Sequence, residues 1–260
     1  MSSKLDRTGE ENINSFGSSM VITRYGKWND IDVYFPEYNW IAKNVQYTAF
    51  KKGNIKCPYE PRVYGKGYLG EGRYKAWENG KHTQCYKTWQ HMLERCYDNK
   101  YKEKHPTYVD CEVCNKWHNF QNFAEWYYNN YYEIKNEKMC LDKDILNKKN
   151  KIYSPNNCIF VPHNINVLFV KSDKTRGEYP IGVDYHKNTN KFRARCSIYD
   201  HQTKTYKNKH LGFYDTINEA FKIYKKFKEY YIKKVANYYK GQIPAKLYDA
   251  MYNYEVEIDD

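Results

Sequence analysis

LDKDILNKKNKIYSPNNCIFVPHNIN, residues 141–166, is the stretch around which the chain is organised. It predicts a short strand, a polar loop, a second strand and the start of a helix. Asp142, Asp144, Asn157 and Asn166 punctuate it at intervals that can fold onto one spot. Carboxylates and amides gathered in that way suit a divalent cation and a hydrolytic reaction, or the remains of one.

The chain on either side is basic and rich in aromatics. It has 260 residues, enough for one large domain or two to three small ones. The net charge of +12 favours a polyanionic partner. Aromatics make up 18% of the residues and 30 are tyrosine, which suits contact with sugars, phosphates and bases. The tyrosine count also fits compositional drift in an AT-rich genome. Mean hydropathy is −1.01, and no segment approaches the roughly 20 apolar residues of a membrane helix. The opening MSSKLDRTGEEN lacks the apolar core of a secretory signal. Eight cysteines in such a chain suit free thiols in a reducing compartment.

Upstream, residues 1–18 read as a polar arm and 19–80 as a small β-rich domain, expected to close into a barrel. Val21, Thr23 and Tyr25 alternate onto one strand face, and Ile31, Val33 and Phe35 onto another. Lys51, Lys52, Lys56, Arg62, Lys66 and Arg73 form a candidate basic face there. Residues 86–98 predict a helix, with Trp89, Met92, Leu93 and Cys96 as an apolar stripe. A short strand is expected over 107–113 and a second helix over 119–130, with Phe120, Phe123, Ala124 and Tyr127 on one side. These stripes are core, and they frame the central stretch.

Downstream, a polar linker over 171–178 leads to three predicted strands, 181–185, 192–199 and 205–211. A helix follows from the capping box Thr216-Ile-Asn-Glu219 to about Tyr238, with Ala220, Phe221, Tyr224, Phe227 and Tyr231 toward the sheet. Residues 178–240 hold 14 Lys and Arg against six Asp and Glu, a net of +8. Arg193 and Arg195 alternate with apolar neighbours and so share a face, with Lys187, Lys191, Lys207 and Lys209 around them. Arginine can grip phosphate or bond a guanine edge with both arms. Residues 241–260 turn acidic, with a small helix near 244–252 and a frayed tail.

Two resemblances sharpen these readings. Ile181-Gly-Val183, Lys191-Phe-Arg-Ala194 and Leu211-Gly-Phe-Tyr-Asp-Thr216, followed by Glu219-Ala-Phe221 and Tyr224, resemble the Apetala-type domain of plant ethylene-response factors and phage endonucleases. The resemblance implies three antiparallel strands on one helix, over about residues 173–240, with the open sheet face in the DNA major groove. Trp89-x-x-Met92-x-x-Arg95-Cys96, Val113-Cys114-x-x-Trp117, Phe120-x-x-Phe123, Leu141-Asp142-Lys143-Asp144, Tyr153-Ser-Pro-x-Asn157-Cys158-x-Phe160 and Ile165-Asn166 resemble phage HNH-type homing endonucleases, over residues 81–172. That resemblance implies a ββα module holding one Mg²⁺ or Mn²⁺ through Asp142 and Asn166, with Asn157 as the middle residue. It implies double-stranded DNA as partner and cleavage or nicking as activity. It also implies a cytoplasmic location, in a bacterial host cell if the chain is phage-encoded.

The overall expectation is α+β: a small N-terminal β-barrel, a central ββα module with a helical frame, and a C-terminal three-stranded antiparallel sheet packed on one helix. One position departs from the HNH pattern. Where the motif has Asp-His, this chain has Asp142-Lys143, and lysine with an ordinary pKa near 10.4 is a poor base at neutral pH. Three alternatives stay open: a Lys143 of lowered pKa, Lys143 gripping phosphate beside Asp144 as acid or base, or His163 as base. A catalytically degenerate HNH fold is the rival reading, a DNA-binding regulator or phage counter-defence factor. Cys111-x-x-Cys114 is one close pair where structural zinc favours two, so zinc is not expected. No small-molecule cofactor is expected either, because phosphate-loop and nucleophile-elbow motifs are missing.

Overall fold

The computed structural model describes residues 6–170, 178–200, 203 and 205–258. The expected linker lies outside the described residues apart from Glu178, as do residues 1–5 of the arm and part of the turn at 200–203. The fold is mixed α+β. It divides into two compact units, Met1–Asn130 with Lys151–Pro155, and Tyr131–Asn150 with Asn156–Asp260.

The first unit opens with an antiparallel sheet, β1 (Glu11–Ile13), β2 (Ser19–Lys27), β3 (Asp30–Phe35) and β4 (Trp40–Val45), in that order. Met20, Ile22, Ile31, Val33 and Phe35 point into its core, where Phe50 of α1 (Tyr47–Lys51) covers them. One expectation is corrected here: the polar arm contributes a strand, β1, held by backbone pairing to β2. No closed barrel is found among the described residues; the four strands pair in the order β1–β2–β3–β4. A bulge between Ile22 and Arg24 also breaks the expected alternation, so Tyr25 joins the core that Met20 and Ile22 define.

The helical frame completes this unit. A two-residue hairpin, β5 (Trp77–Glu78) and β6 (Lys81–His82), leads into α2 (Gln84–Tyr97). The Thr83 hydroxyl caps α2 by accepting the Tyr86 amide at 3.2 Å. The stripe Trp89, Met92, Leu93 and Cys96 is buried, and the Trp89 indole donates to the Trp117 carbonyl at 2.7 Å. Next come α3 (Asn99–Lys104), a 3₁₀ turn at Pro106–Tyr108, β7 (Glu112–Val113), α4 (Asn115–His118) and α5 (Phe120–Asn130). The strand expected over 107–113 shrinks to β7, because Pro106 starts a 3₁₀ turn. β7 pairs in parallel with β9 (Ile152–Tyr153), which draws residues 151–155 into this unit.

The second unit holds the opening stretch. β8 (Met139–Asp142) pairs antiparallel with β10 (Ile159–Pro162), and α6 (His163–Leu168) follows at once. A three-stranded antiparallel sheet, β11 (Val183–His186), β12 (Lys191–Asp200) and β13 (Thr205–Tyr214), packs on α7 (Ile217–Tyr238). Thr216 and Glu219 form the predicted capping box. Helix α8 (Ala245–Tyr252) ends the regular structure.

Helix α7 serves two cores. Its first half, Ala220, Phe221 and Tyr224, covers Val183, Ala194 and Cys196 of the sheet. Its second half, Tyr231, Ile232, Val235 and Ala236, packs with Ile145, Ile159, Val161, Ile165 and Leu168 of the ββα element. The boundary drawn at 172/173 therefore has no gap in packing behind it. In the C-terminal segment, Leu247 and Met251 join the second core and Val256 the first.

Candidate active site and charged sheet face

The ββα element is built by local signals. Strand β8 ends at Asp142, which sits opposite Ile159 of β10. Asp142 Oδ1 accepts the backbone amides of Asp144 and Ile145, both at 2.8 Å, and turns the chain sharply out of the strand. Burial pushes the Asp142 carboxyl above its ordinary pKa, and the Asp144 carboxylate adds to this; the two amides oppose it. Asn166 lies half-buried on α6, which packs on β8.

Lys143 does not face outward. Its side chain is only 7% exposed, and its ammonium donates to Asp144 Oδ1 at 2.7 Å and to the Asn150 carbonyl at 2.8 Å. Asn150 in turn donates to the Lys143 carbonyl at 2.9 Å. Asn157 joins the same knot, accepting from Asn147 at 3.1 Å and donating to Asn150 Oδ1 at 3.0 Å. The structure thus gathers Lys143, Asp144 and Asn157 around the segment that follows β8, with Asp142 at its start, and hydrogen bonds within this region tie down Asp142, Lys143 and Asn157. The Lys143 ammonium is held by a carboxylate and a backbone carbonyl close to it in sequence. Asn147 and Asn150 were missed; their spacing in a lysine-rich loop carries no signal of its own.

His163 stands exposed at the first turn of α6, with Nδ1 3.8 Å from Cys140 Sγ. Among the described residues no group of three or more His, Cys, Asp or Glu side chains is arranged to hold a metal ion. Cys111 is buried with its thiol toward the Thr107 carbonyl, and Cys114 is half-buried ahead of α4. None of the eight cysteines is paired in a disulfide.

The second candidate region is the sheet face turned away from α7. Arg193 and Arg195 share it, as predicted. Both reach the same partner on the neighbouring strand: Arg193 Nη2 is 2.7 Å from Asp184 Oδ2, and Arg195 Nε is 3.0 Å from Asp184 Oδ1. Lys191 also belongs to this face and pairs with Asp215 at 3.0 Å, while Lys187 is exposed in the turn between β11 and β12. His186, His210 and Phe213 form an aromatic cluster beside the arginines, with ring centroids 5.0 and 4.7 Å apart.

Lys207 and Lys209 are corrected. They register with Ile198 and Cys196, whose side chains face α7, and the Lys209 ammonium lies 4.8 Å above the Phe227 ring of that helix. Lys207 pairs with Asp200 at 2.7 Å. They project from the face opposite Arg193 and Arg195. In the first unit Lys51 and Lys52 close α1, both exposed, with Lys51 3.5 Å from Glu10. Arg62 turns inward to the buried Glu60 and the Cys57 carbonyl, so it leaves the basic face expected of that region.

No helix among the described residues is long and apolar enough to cross a membrane. No protein-family model, no curated protein and no solved structure matches this chain.

Proposed function

We propose that the protein binds double-stranded DNA through the β11–β12–β13 face, and that its ββα element is an HNH-type nuclease scaffold retained for binding rather than hydrolysis. Such a molecule acts as a regulator or a phage counter-defence factor. The observation that carries the non-hydrolytic part is Lys143: the residue in the base position is buried and committed to Asp144 and Asn150. The DNA part is supported by the net charge of +12 and by two arginines on one open sheet face.

A second reading, a metal-dependent homing-type endonuclease, is favoured by one feature. The order β8–β10–α6 sets Asp142 at a strand end and Asn166 on the helix packed against that strand. Asp142 is a carboxyl that burial makes costly to ionise, which fits a neighbouring cation. In this reading Asp142 and Asn166 hold Mg²⁺ or Mn²⁺, which stabilises charge developing on the scissile phosphate. Asn157 shapes the loop, and His163 replaces Lys143 as the base.

One assay separates the two. The full chain is incubated with supercoiled plasmid and genomic DNA, with Mg²⁺, Mn²⁺ or EDTA, and both mobility shift and nicking are read. Shift without metal-dependent nicking is the expected result. Nicking that EDTA abolishes and His163→Ala removes establishes the second reading, and no shift on any duplex sinks the DNA reading altogether.

A further inference from the structure

The β5–β6 hairpin belongs to neither candidate region, and it carries an unusual surface. Asn79 and Gly80 connect its strands with φ of 50° and 72°. Two successive left-handed residues make the tight type I′ turn, which fixes strand twist and register. The hairpin is mounted rigidly. The Thr83 amide and hydroxyl bond the Ala76 and Lys75 carbonyls at 3.0 and 3.2 Å, and Thr83 also caps α2.

A continuous ring stack runs inward from its surface. Trp77, 54% exposed, lies 4.0 Å from His82; His82 stacks on Tyr86 at 4.4 Å and 12°; Tyr86 meets the buried Trp89 and Phe120 at 5.5 Å. Beside it Tyr74 stacks on Tyr128 at 5.3 Å and 15°, and Tyr128 is itself 55% exposed. Gln121 pins the Tyr74 backbone with two hydrogen bonds at 3.0 Å. Tyr74 stands only three positions before Trp77, so the hairpin and the tyrosine pair adjoin. Two large aromatics, Trp77 and Tyr128, are thus held by ring contacts at the surface and stay more than half exposed.

Two further features identify what would cover them. Arg73, Lys75, Lys81 and Lys87 are all exposed around the hairpin, against Glu78 as the sole acid between residues 73 and 87. The Arg73 guanidinium lies 4.9 Å over the Tyr74 ring. In addition, His82 Nδ1 is buried with no hydrogen-bond partner. Phenylalanine would stack as well without that cost, so the imidazole is not explained by packing. Aromatic faces ringed by cations suit bases that stack while the phosphates between them are neutralised. A paired base inside a duplex hides its face; an unpaired one offers it.

We propose that the β5–β6 hairpin, with Trp77 and the Tyr74–Tyr128 pair, is a stacking platform for unpaired bases of single-stranded DNA. The proposal rests on nucleic acid being the partner but not on the sheet face being its duplex site. The platform holds a locally opened or flanking strand and is indifferent to sequence, because every base has a stacking face.

The test uses the full chain and a fluorescein-labelled 12-nucleotide oligo(dT), read by anisotropy, with a hairpin duplex of the same length as comparison. Wild type is expected to bind the oligonucleotide, and Trp77→Ala to weaken it about 5- to 100-fold while duplex affinity changes less than about twofold. Trp77→Phe should restore most of the loss, because it keeps a stacking ring. Arg193→Ala with Arg195→Ala should show the reverse pattern. Absence of oligonucleotide binding by wild type overturns the proposal, as does equal affinity for Trp77→Ala with circular dichroism unchanged. If duplex binding fails but the Trp77-dependent single-strand binding holds, the platform stands and the sheet-face reading falls.

Discussion

In the loop between β8 and β10, a lysine ammonium sits between a carboxylate and a carbonyl, inside the second unit. On the outer face of β11–β12–β13, two guanidinium groups share one carboxylate at the surface. The chemistry of the contacts is nearly the same. Lys143 is 7% exposed, whereas Arg195 is 47% exposed and Arg193 29%. Burial converts the first into part of the framework, since removing it takes a donor from a carbonyl and empties space. Exposure leaves the second exchangeable: water screens the pairs, and a phosphate can replace Asp184.

The largest effect should come from breaking the buried member of this comparison. Lys143→Ala removes the ammonium that donates to the Asn150 carbonyl, and with it three methylenes, Cγ to Cε, from a buried site. A loss of about 2–3 kcal/mol in unfolding free energy is expected, measured by urea denaturation. Lys143→Met keeps the stem and should lose less. Duplex affinity, measured below the unfolding transition, should stay near wild type in both. A Lys143→Ala variant as stable as wild type, but altered in DNA binding or nicking, would return Lys143 to the functional site.

Breaking the exposed member should leave stability nearly intact and change affinity. Arg193→Ala with Arg195→Ala is expected to weaken duplex binding about 10-fold or more. It should also flatten the slope of log affinity against log salt by about 2, as for two lost phosphate contacts. Asp184→Asn sharpens the point from the other side. It removes the anion that competes with phosphate, so affinity should rise a few-fold in the same titration. An Asp184→Asn variant that binds more weakly would mean that Asp184 orients the arginines instead of occupying them.

How much of this was legible depends on range. The capping box at Thr216–Glu219 and the stripe on α2 are set by residues three or four apart, and both were readable. So was the order of β8, β10 and α6. The knot was not. That Lys143 turns inward depends on Asn150 and Asn157, seven and fourteen positions on, and nothing in their spacing says that they close a ring with it. The edge strand β1 was hidden because backbone pairing holds it, with no apolar alternation to betray it. Barrel closure is hidden for a related reason: whether a first strand meets a last one is a question of distant pairing, which local pattern cannot answer.

The smallest effect is expected from Lys207→Ala with Lys209→Ala. On one strand these two lysines share a face with each other, and the sequence says that much. Which face it is depends on register with β12, and a slip of one residue moves every side chain to the other side. Register here follows from Ile198 opposite Lys207 and Cys196 opposite Lys209, with a bulge at Ala194 and Arg195 that lets His210 and Phe213 both reach the outer face. The double variant removes two charges, as many as the arginine variant does. If duplex affinity followed net charge alone, both would fall equally. If the outer face is the site, Lys207 and Lys209 act only through long-range attraction, which 0.15 M salt screens beyond about 8 Å. Duplex affinity at that salt should then fall less than about threefold, with a correspondingly small change in salt slope. A loss matching the arginine variant would place the DNA against the edge of β13 rather than across the sheet.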